Sequence, residues 1–153
     1  MKKEIKLPSE VWLIFILLVL LGFGAVAGGG VLMLAPDGSL MGMPVSLLKN
    51  TPFTNFFIPG LVLFLCNGIY PFFVAYWMMK RPNWQTPAHL NPFKSMHWTW
   101  TAVLLSGVIV LGWIVMQVIW LGYSSFLQLF YFFYGILLIL LCLLPVVRKY
   151  FSQ

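Results

Sequence analysis

Apolar residues run from Val11 to Leu34 without a single charge, and comparable runs cover about 57–79, 98–122 and 126–147. The runs are continuous; apolar and polar positions do not alternate. A helix needs about 20 apolar residues, at roughly 1.5 Å each, to cross the hydrocarbon core of a bilayer. Each run meets that length. Lipid offers no partner to backbone N–H and C=O groups, which leaves helices or closed barrels as spanning structures. Barrel strands alternate in polarity, so the pattern predicts helices. The expected fold is all-α: one domain over residues 1–153, a four-transmembrane-helix bundle.

Breaks in the pattern mark the helix ends. Pro8 and Ser9 precede the first run, with Ser9 the expected N-cap. Pro36-Asp37-Gly38-Ser39 is turn chemistry and ends it. Pro59 falls in the first turn of the second helix, where its missing N–H does no harm. Pro71 lies inside that helix and should kink it, since it removes the bond to the Asn67 carbonyl. Asn91-Pro92 separates the second and third runs, with Ser95 as a cap. Gly122-Tyr123-Ser124-Ser125 is a tight link, so the third and fourth helices should be antiparallel neighbours.

Composition strengthens this picture. Of the 153 residues, 61% are hydrophobic and only 8% charged, against about 25% charged in soluble domains. The net charge of +6 could suggest nucleic acid, but the basic residues flank the apolar runs and form no basic domain. They set topology instead. Lys2, Lys3, Lys6, Lys80, Arg81, Lys94, Arg148 and Lys149 fall on one side of a four-span chain, and Lys49 alone on the other. The positive-inside rule places both termini in the cytoplasm. Trp12, Trp77, Trp98 and Trp100 form the expected inner aromatic belt, and Phe53, Phe57, Trp120 and Tyr123 the outer one. Lys2-Lys3 followed by Ala25-Val26-Ala27 imitates a cleavable signal peptide. The apolar run continues to Leu34, however, which favours a retained span.

Several motifs lose their force in context. Gly22-Phe23-Gly24-Ala25-Val26-Ala27 fits a dinucleotide fingerprint, yet it sits inside a lipid-length run with no strand before it. The same segment supplies Gly24 and Gly28 four apart, a spacing that lets helix backbones approach closely; Ala25 and Gly29 repeat it. His89 and His97 share one stretch with no carboxylate or cysteine, too few groups for a metal or haem site. Cys66 and Cys142 differ in depth by roughly 10 Å and read as buried small apolar residues. The acids Glu4, Glu10 and Asp37 all lie outside the spans, which argues against a proton-coupled pump or an acid–base enzyme. No cofactor and no catalytic residue is expected.

The loop from 34 to 57 is long and apolar for its place: Met41, Met43, Leu47, Leu48, Phe53 and Phe56 are ill suited to a solvated loop. It should form a structured outer cap, with Pro44 and Pro52 each opening a short helix. Beneath it fall the uncharged polar residues of the spans. Asn67, Trp113, Gln117, Gln128 and Tyr131 are candidates to line an outward-facing pocket; Ser106, Trp113, Gln117 and Trp120 share one stripe of the third helix. The competing explanation is interhelical hydrogen bonding, worth about 0.6 kcal/mol per contact.

From Gly28 to Leu141 the chain resembles small bacterial four-helix integral membrane proteins of uncharacterised role. The residues that carry the resemblance are Gly28-Gly29-Gly30, Pro36-Asp37-Gly38, Thr51-Pro52-Phe53, Ile58-Pro59-Gly60-Leu61, Trp113-Ile114-Val115-Met116-Gln117 and Leu121-Gly122-Tyr123. The resemblance implies a bacterial cytoplasmic membrane and a compact unit, and supplies no activity. Two functions stay open. One is a non-enzymatic accessory subunit or structural component, whose partner is another membrane protein or a second copy. The other is a small carrier or lipid-binding protein that uses the outer pocket.

Overall fold

The computed structural model describes residues 7–152; Lys2, Lys3, Lys6 and Glu4, which entered the charge argument, lie outside that range. In chain order the helices are α1 (Ser9–Leu34), α2 (Phe57–Lys80), α3 (Gln85–Leu90), α4 (Trp98–Leu121), α5 (Phe126–Leu143) and α6 (Pro145–Phe151). α1, α2, α4 and α5 are long and apolar enough to cross a membrane. They form a ring in chain order: α1 packs on α2, α2 on α4, α4 on α5, and α5 returns to α1. One end of the ring carries the segment between α1 and α2, and will be called the loop end. The other carries the start of α1, α3 and α6, and will be called the termini end.

The core follows a heptad pattern. On α1, Val11, Leu18 and Ala25 are buried together with Ile14 and Leu21. This three-and-four spacing keeps one seam of a helix against its neighbours. Two crossings depend on glycine. A Cβ on Gly29 would lie 2.6 Å from the Gly60 carbonyl oxygen and 2.7 Å from the Phe64 nitrogen, so α1 and α2 touch backbone to backbone. A Cβ on Gly107 of α4 would come within 3.0 Å of the Gly135 carbonyl oxygen on α5. The close approach on α1 is thus one residue along from the Gly24–Gly28 pair. Gly24 is exposed, with the Tyr131 hydroxyl occupying the space of its missing Cβ, and Gly28 is half-buried against Leu63.

Proline reshapes two helices. Pro71 offers no N–H, and its ring would strike the carbonyl four residues back. The helix widens into a π-helical stretch over Leu63–Ile69, just before it. Pro145 has a larger effect. The fourth apolar run, expected to be one helix to 147, ends at Leu143; Leu144 is extended (φ −57°, ψ 138°) and α6 starts afresh at Pro145. A residue before proline is driven out of helical conformation.

Side-chain bonds close the termini end. His97, not Ser95, caps α4: its ring Nδ1 accepts the Thr99 N–H at 3.3 Å and meets Thr99 Oγ1 at 2.7 Å. The His97 backbone N–H donates to the Phe151 carbonyl at 2.8 Å, and Met96 pairs with Ser152, so α6 is tied beside the start of α4. The Trp100 indole donates to the Cys142 carbonyl at 2.8 Å, and the Trp98 indole to the Pro82 carbonyl at 3.0 Å. Both rings are buried, so neither forms the aromatic belt expected of it. At α1, Ser9 does not cap; Pro8 holds that position, and the Ser9 hydroxyl bonds Glu10. Cys66, expected to be buried, is exposed, while Cys142 is buried.

Two outcomes follow. Gly29→Ala should destabilise the bundle by about 1–3 kcal/mol through overpacking. Gly30→Ala, where a Cβ meets nothing within 4 Å, should be neutral or gain about 0.5–1 kcal/mol from helix propensity; thermal unfolding of both in one detergent checks the contrast. The second outcome concerns pH. Burial, aided by the Arg81 charge, pushes the His97 pKa down, and the nearby Pro82 carbonyl opposes this only in part. The unfolded chain therefore takes up the proton first, near its ordinary value of about 6.5. Stability from His97 is full above that value and is lost as pH falls below it. The melting temperature should drop between about pH 7.5 and about pH 5, and His97→Asn, which keeps an acceptor for the Thr99 N–H, should flatten the drop.

Candidate functional site at the loop end

The segment between α1 and α2 is folded by its own short-range bonds. Asp37 Oδ1 accepts the Ser39 N–H at 3.1 Å and its hydroxyl at 2.8 Å, which holds the carboxyl below its usual range. Gly38 is left-handed (φ 75°), and a Cβ there would overlap the Met43 carbonyl. Two 3-10 turns follow, Ser39–Met41 and Val45–Leu48. Pro44 opens the second as expected, whereas Pro52 opens no helix and lies in a run of bends. The Thr51 hydroxyl donates to the Leu48 carbonyl at 2.9 Å and accepts the Phe53 N–H at 3.2 Å. The Phe56 N–H donates to the Pro36 carbonyl at 2.8 Å and closes the base of the loop. Leu48 and Phe56 are thereby buried against Leu32 as a second small core.

Between this core and α4 lies a cavity of about 280 Å³. Leu48, Phe53 and Phe56 form its roof, and Pro59 and Val62 contribute the α2 wall. Trp113, Met116, Gln117 and Trp120 form the α4 wall, with Trp120 edge-on to Phe53 at 5.5 Å. The surface is almost wholly apolar. The Thr51 hydroxyl is already bonded to the loop, so the Gln117 amide and the two indole N–H groups are the polar groups left to meet an occupant. Val62 and Met116 are the exposed residues of the two helical walls. Each lies about five residues, roughly 7–8 Å, from the loop end of its helix. Both exposed positions thus fall within the apolar length of α2 and α4.

Of the five residues proposed from sequence, Trp113 and Gln117 line this cavity and Asn67, Gln128 and Tyr131 do not. Gln128 is consumed by the link between α4 and α5. Its Oε1 accepts the N–H of Ser124 at 2.9 Å, and with Ser125 it forms a reciprocal capping box. The pattern Ser-x-x-Gln before an apolar run was the available signal. Tyr131 packs toward Gly24, and its neighbour Tyr134 binds the Leu17 carbonyl at 2.6 Å. Asn67 sits in the π-helical stretch, 2% exposed, and neither amide atom has a partner among the described residues. The lining from Leu32, Pro59 and Val62 escaped the sequence reading, which looked for polar groups in the spans, whereas Phe53 and Phe56 belong to the expected cap.

Comparison with protein families, curated proteins and solved structures finds no match. The site is thus read from its own geometry.

A buried amide without partners costs about 1–3 kcal/mol. Asn67→Leu, close in volume and apolar, should therefore raise the stability of the bundle by about 1 kcal/mol. Denaturation of both proteins in the same detergent tests this, and a loss of stability would show that the Asn67 amide is satisfied in the folded state.

Proposed function

We propose that this chain is a non-enzymatic integral membrane protein that holds one acyl chain of a membrane lipid in the loop-end cavity. The observation that supports the reading is an apolar chamber whose helical walls include the exposed residues Val62 and Met116, within the apolar length of α2 and α4, and one amide, Gln117. Ligand cavities start near 300 Å³, so about 280 Å³ suits a segment of one chain rather than a whole lipid. An acyl chain entering from the bilayer needs no aqueous route. Gln117 makes no side-chain hydrogen bond among the described residues, so its amide is free to donate to a lipid ester carbonyl.

Charge supports the orientation. Lys80, Arg81, Lys94, Arg148 and Lys149 gather at the termini end, and Lys49 alone belongs to the loop end. On the positive-inside rule both termini are cytoplasmic and the cavity faces the outer leaflet; a bacterial cytoplasmic membrane is what the resemblance to small four-helix membrane proteins implies.

Native mass spectrometry of the gently purified protein is the test. The wild type should carry a reproducible lipid adduct, and Val62→Phe, which fills the chamber, should lose it while keeping the same melting temperature within about 1 kcal/mol of stability. Gln117→Leu should fold normally and retain lipid more weakly. Equal adducts on wild type and Val62→Phe would overturn the reading. Added protein mass in place of lipid would favour the accessory-subunit role instead.

A further inference from the structure

Among the described residues, the termini end holds a cation with no counter-ion. Arg81 follows the last residue of α2 and is the only non-glycine residue with positive φ among those described (φ 47°, ψ 55°). Helices commonly end in this left-handed conformation, but with glycine or asparagine, because a Cβ is strained there. An arginine held in it directs attention to its side chain. The guanidinium lies over the Tyr150 ring at 4.7 Å and the Phe151 ring at 5.7 Å. Its Nε is buried without an acceptor, and no carboxylate reaches it among the described residues.

The groups around Arg81 are aromatic rings and donors. His97, 3% exposed, sits beside Arg81 with its Nε2 buried and unbonded. Its Nδ1 accepts the Thr99 N–H, so the neutral ring carries its proton on Nε2. That leaves a second N–H donor beside the guanidinium, facing the Pro82 carbonyl without a well-formed hydrogen bond to it. Trp84 stacks on Trp98 at 5.7 Å with an interplanar angle of 8°, and Trp77 meets Trp84 at 4.3 Å. Of these indoles Trp84 is exposed, and an exposed indole beside a span settles at the level of lipid headgroups. Among the described residues the acid at this end is Glu10, which accepts a hydrogen bond from the Ser9 hydroxyl.

We infer that Arg81, supported by His97, binds a phosphate oxyanion, and that its source is the headgroup of an anionic phospholipid at the termini-end interface. Guanidinium donors arranged as a fork match two phosphate oxygens at once. A half-buried guanidinium whose Nε is buried and unpaired, and which meets no carboxylate among the described residues, is stabilised by an anion that reaches its outer nitrogens. The position of Arg81, directly after a membrane-length helix, puts that anion at headgroup depth. This site lies at the opposite end from the acyl-chain cavity and does not depend on it.

The test titrates purified full-length protein in detergent with phosphatidylglycerol or phosphatidylcholine and counts bound lipid by native mass spectrometry. Wild type should prefer phosphatidylglycerol by about tenfold, a difference of about 1.4 kcal/mol. Arg81→Gly keeps the left-handed backbone and should abolish the preference; Arg81→Asn, which also tolerates that backbone, replaces it if the glycine variant does not fold. Lys149→Gln removes an equal charge nearby and should leave the preference intact. A parallel melt with inorganic phosphate against chloride at matched ionic strength separates the sources. An Arg81-dependent shift with phosphate alone supports the oxyanion site and assigns it to a soluble phosphate. Equal loss in Arg81→Gly and Lys149→Gln, or no preference in wild type, overturns the inference.

Discussion

A backbone carbonyl inside hydrocarbon has no water to turn to, and this shortage governs the details of the bundle. Where a helix ends or bends, the freed groups are met by side chains from elsewhere in the chain. The end of α5 is an instance: the Trp100 indole, reaching across from α4, donates to the Cys142 carbonyl in the last turn. Lys94 does the same for α3, with its Nζ on the carbonyls of Ala88 and His89 at 3.2 and 2.7 Å. In mid-bundle the Tyr70 hydroxyl reaches the Ala102 carbonyl at 3.1 Å, and Tyr134 reaches Leu17. Polar side chains in this protein mostly serve its backbone. That is why so few remain to form a polar site, and why the cavity that does form is apolar.

The same rule explains which parts of the fold could be read from the sequence. Continuous apolar length fixed the number of spans, because nothing shorter than about 20 residues crosses and nothing charged is tolerated midway. The tight link at Gly122–Ser125 correctly implied neighbouring helices. The end of the fourth helix was missed although Pro145 was in view: hydropathy runs on through Val146 and Val147, while backbone geometry does not. The cap of α4 was missed for another reason. Serine is the commoner cap, and His97 earns its place only because Phe151 returns to bind its N–H, a contact between distant parts of the chain.

The candidate site divides in a similar way. The roof was legible, since an apolar loop must cover something. Its walls were legible only in part: polarity pointed to Trp113 and Gln117, but it also drew in Asn67, Gln128 and Tyr131 and passed over Pro59 and Val62. Gln117 and Gln128 look alike as amides in apolar runs, and only the local Ser125–Gln128 box tells that one is committed to a turn. The small-residue stripe on α1 has several registers between Gly22 and Gly30. The choice of Gly29 depends on Gly60, which no local pattern announces.

The position of the two glycine crossings also explains why the cavity lies at one end only. Gly29 and Gly60 clamp α1 to α2 close to the loop end, and Leu32 is buried beyond them. The α4–α5 clamp at Gly107 and Gly135 lies nearer the middle of α4. Beyond it, the last buried residue of α4 is Ile114, well short of Leu121. One pair of helices is therefore held together up to its loop end, while the other pair is anchored deeper and free to diverge from the first. The wedge between them is too wide for helix-to-helix contact. The loop residues Leu48, Phe53 and Phe56 and the indoles of α4 bridge it without filling it. At the termini end no such wedge exists, because α6 folds back through His97 and Phe151 to occupy the space. An apolar chamber at one end and a sealed, cationic interface at the other are thus two results of where the chain placed its glycines and Pro145.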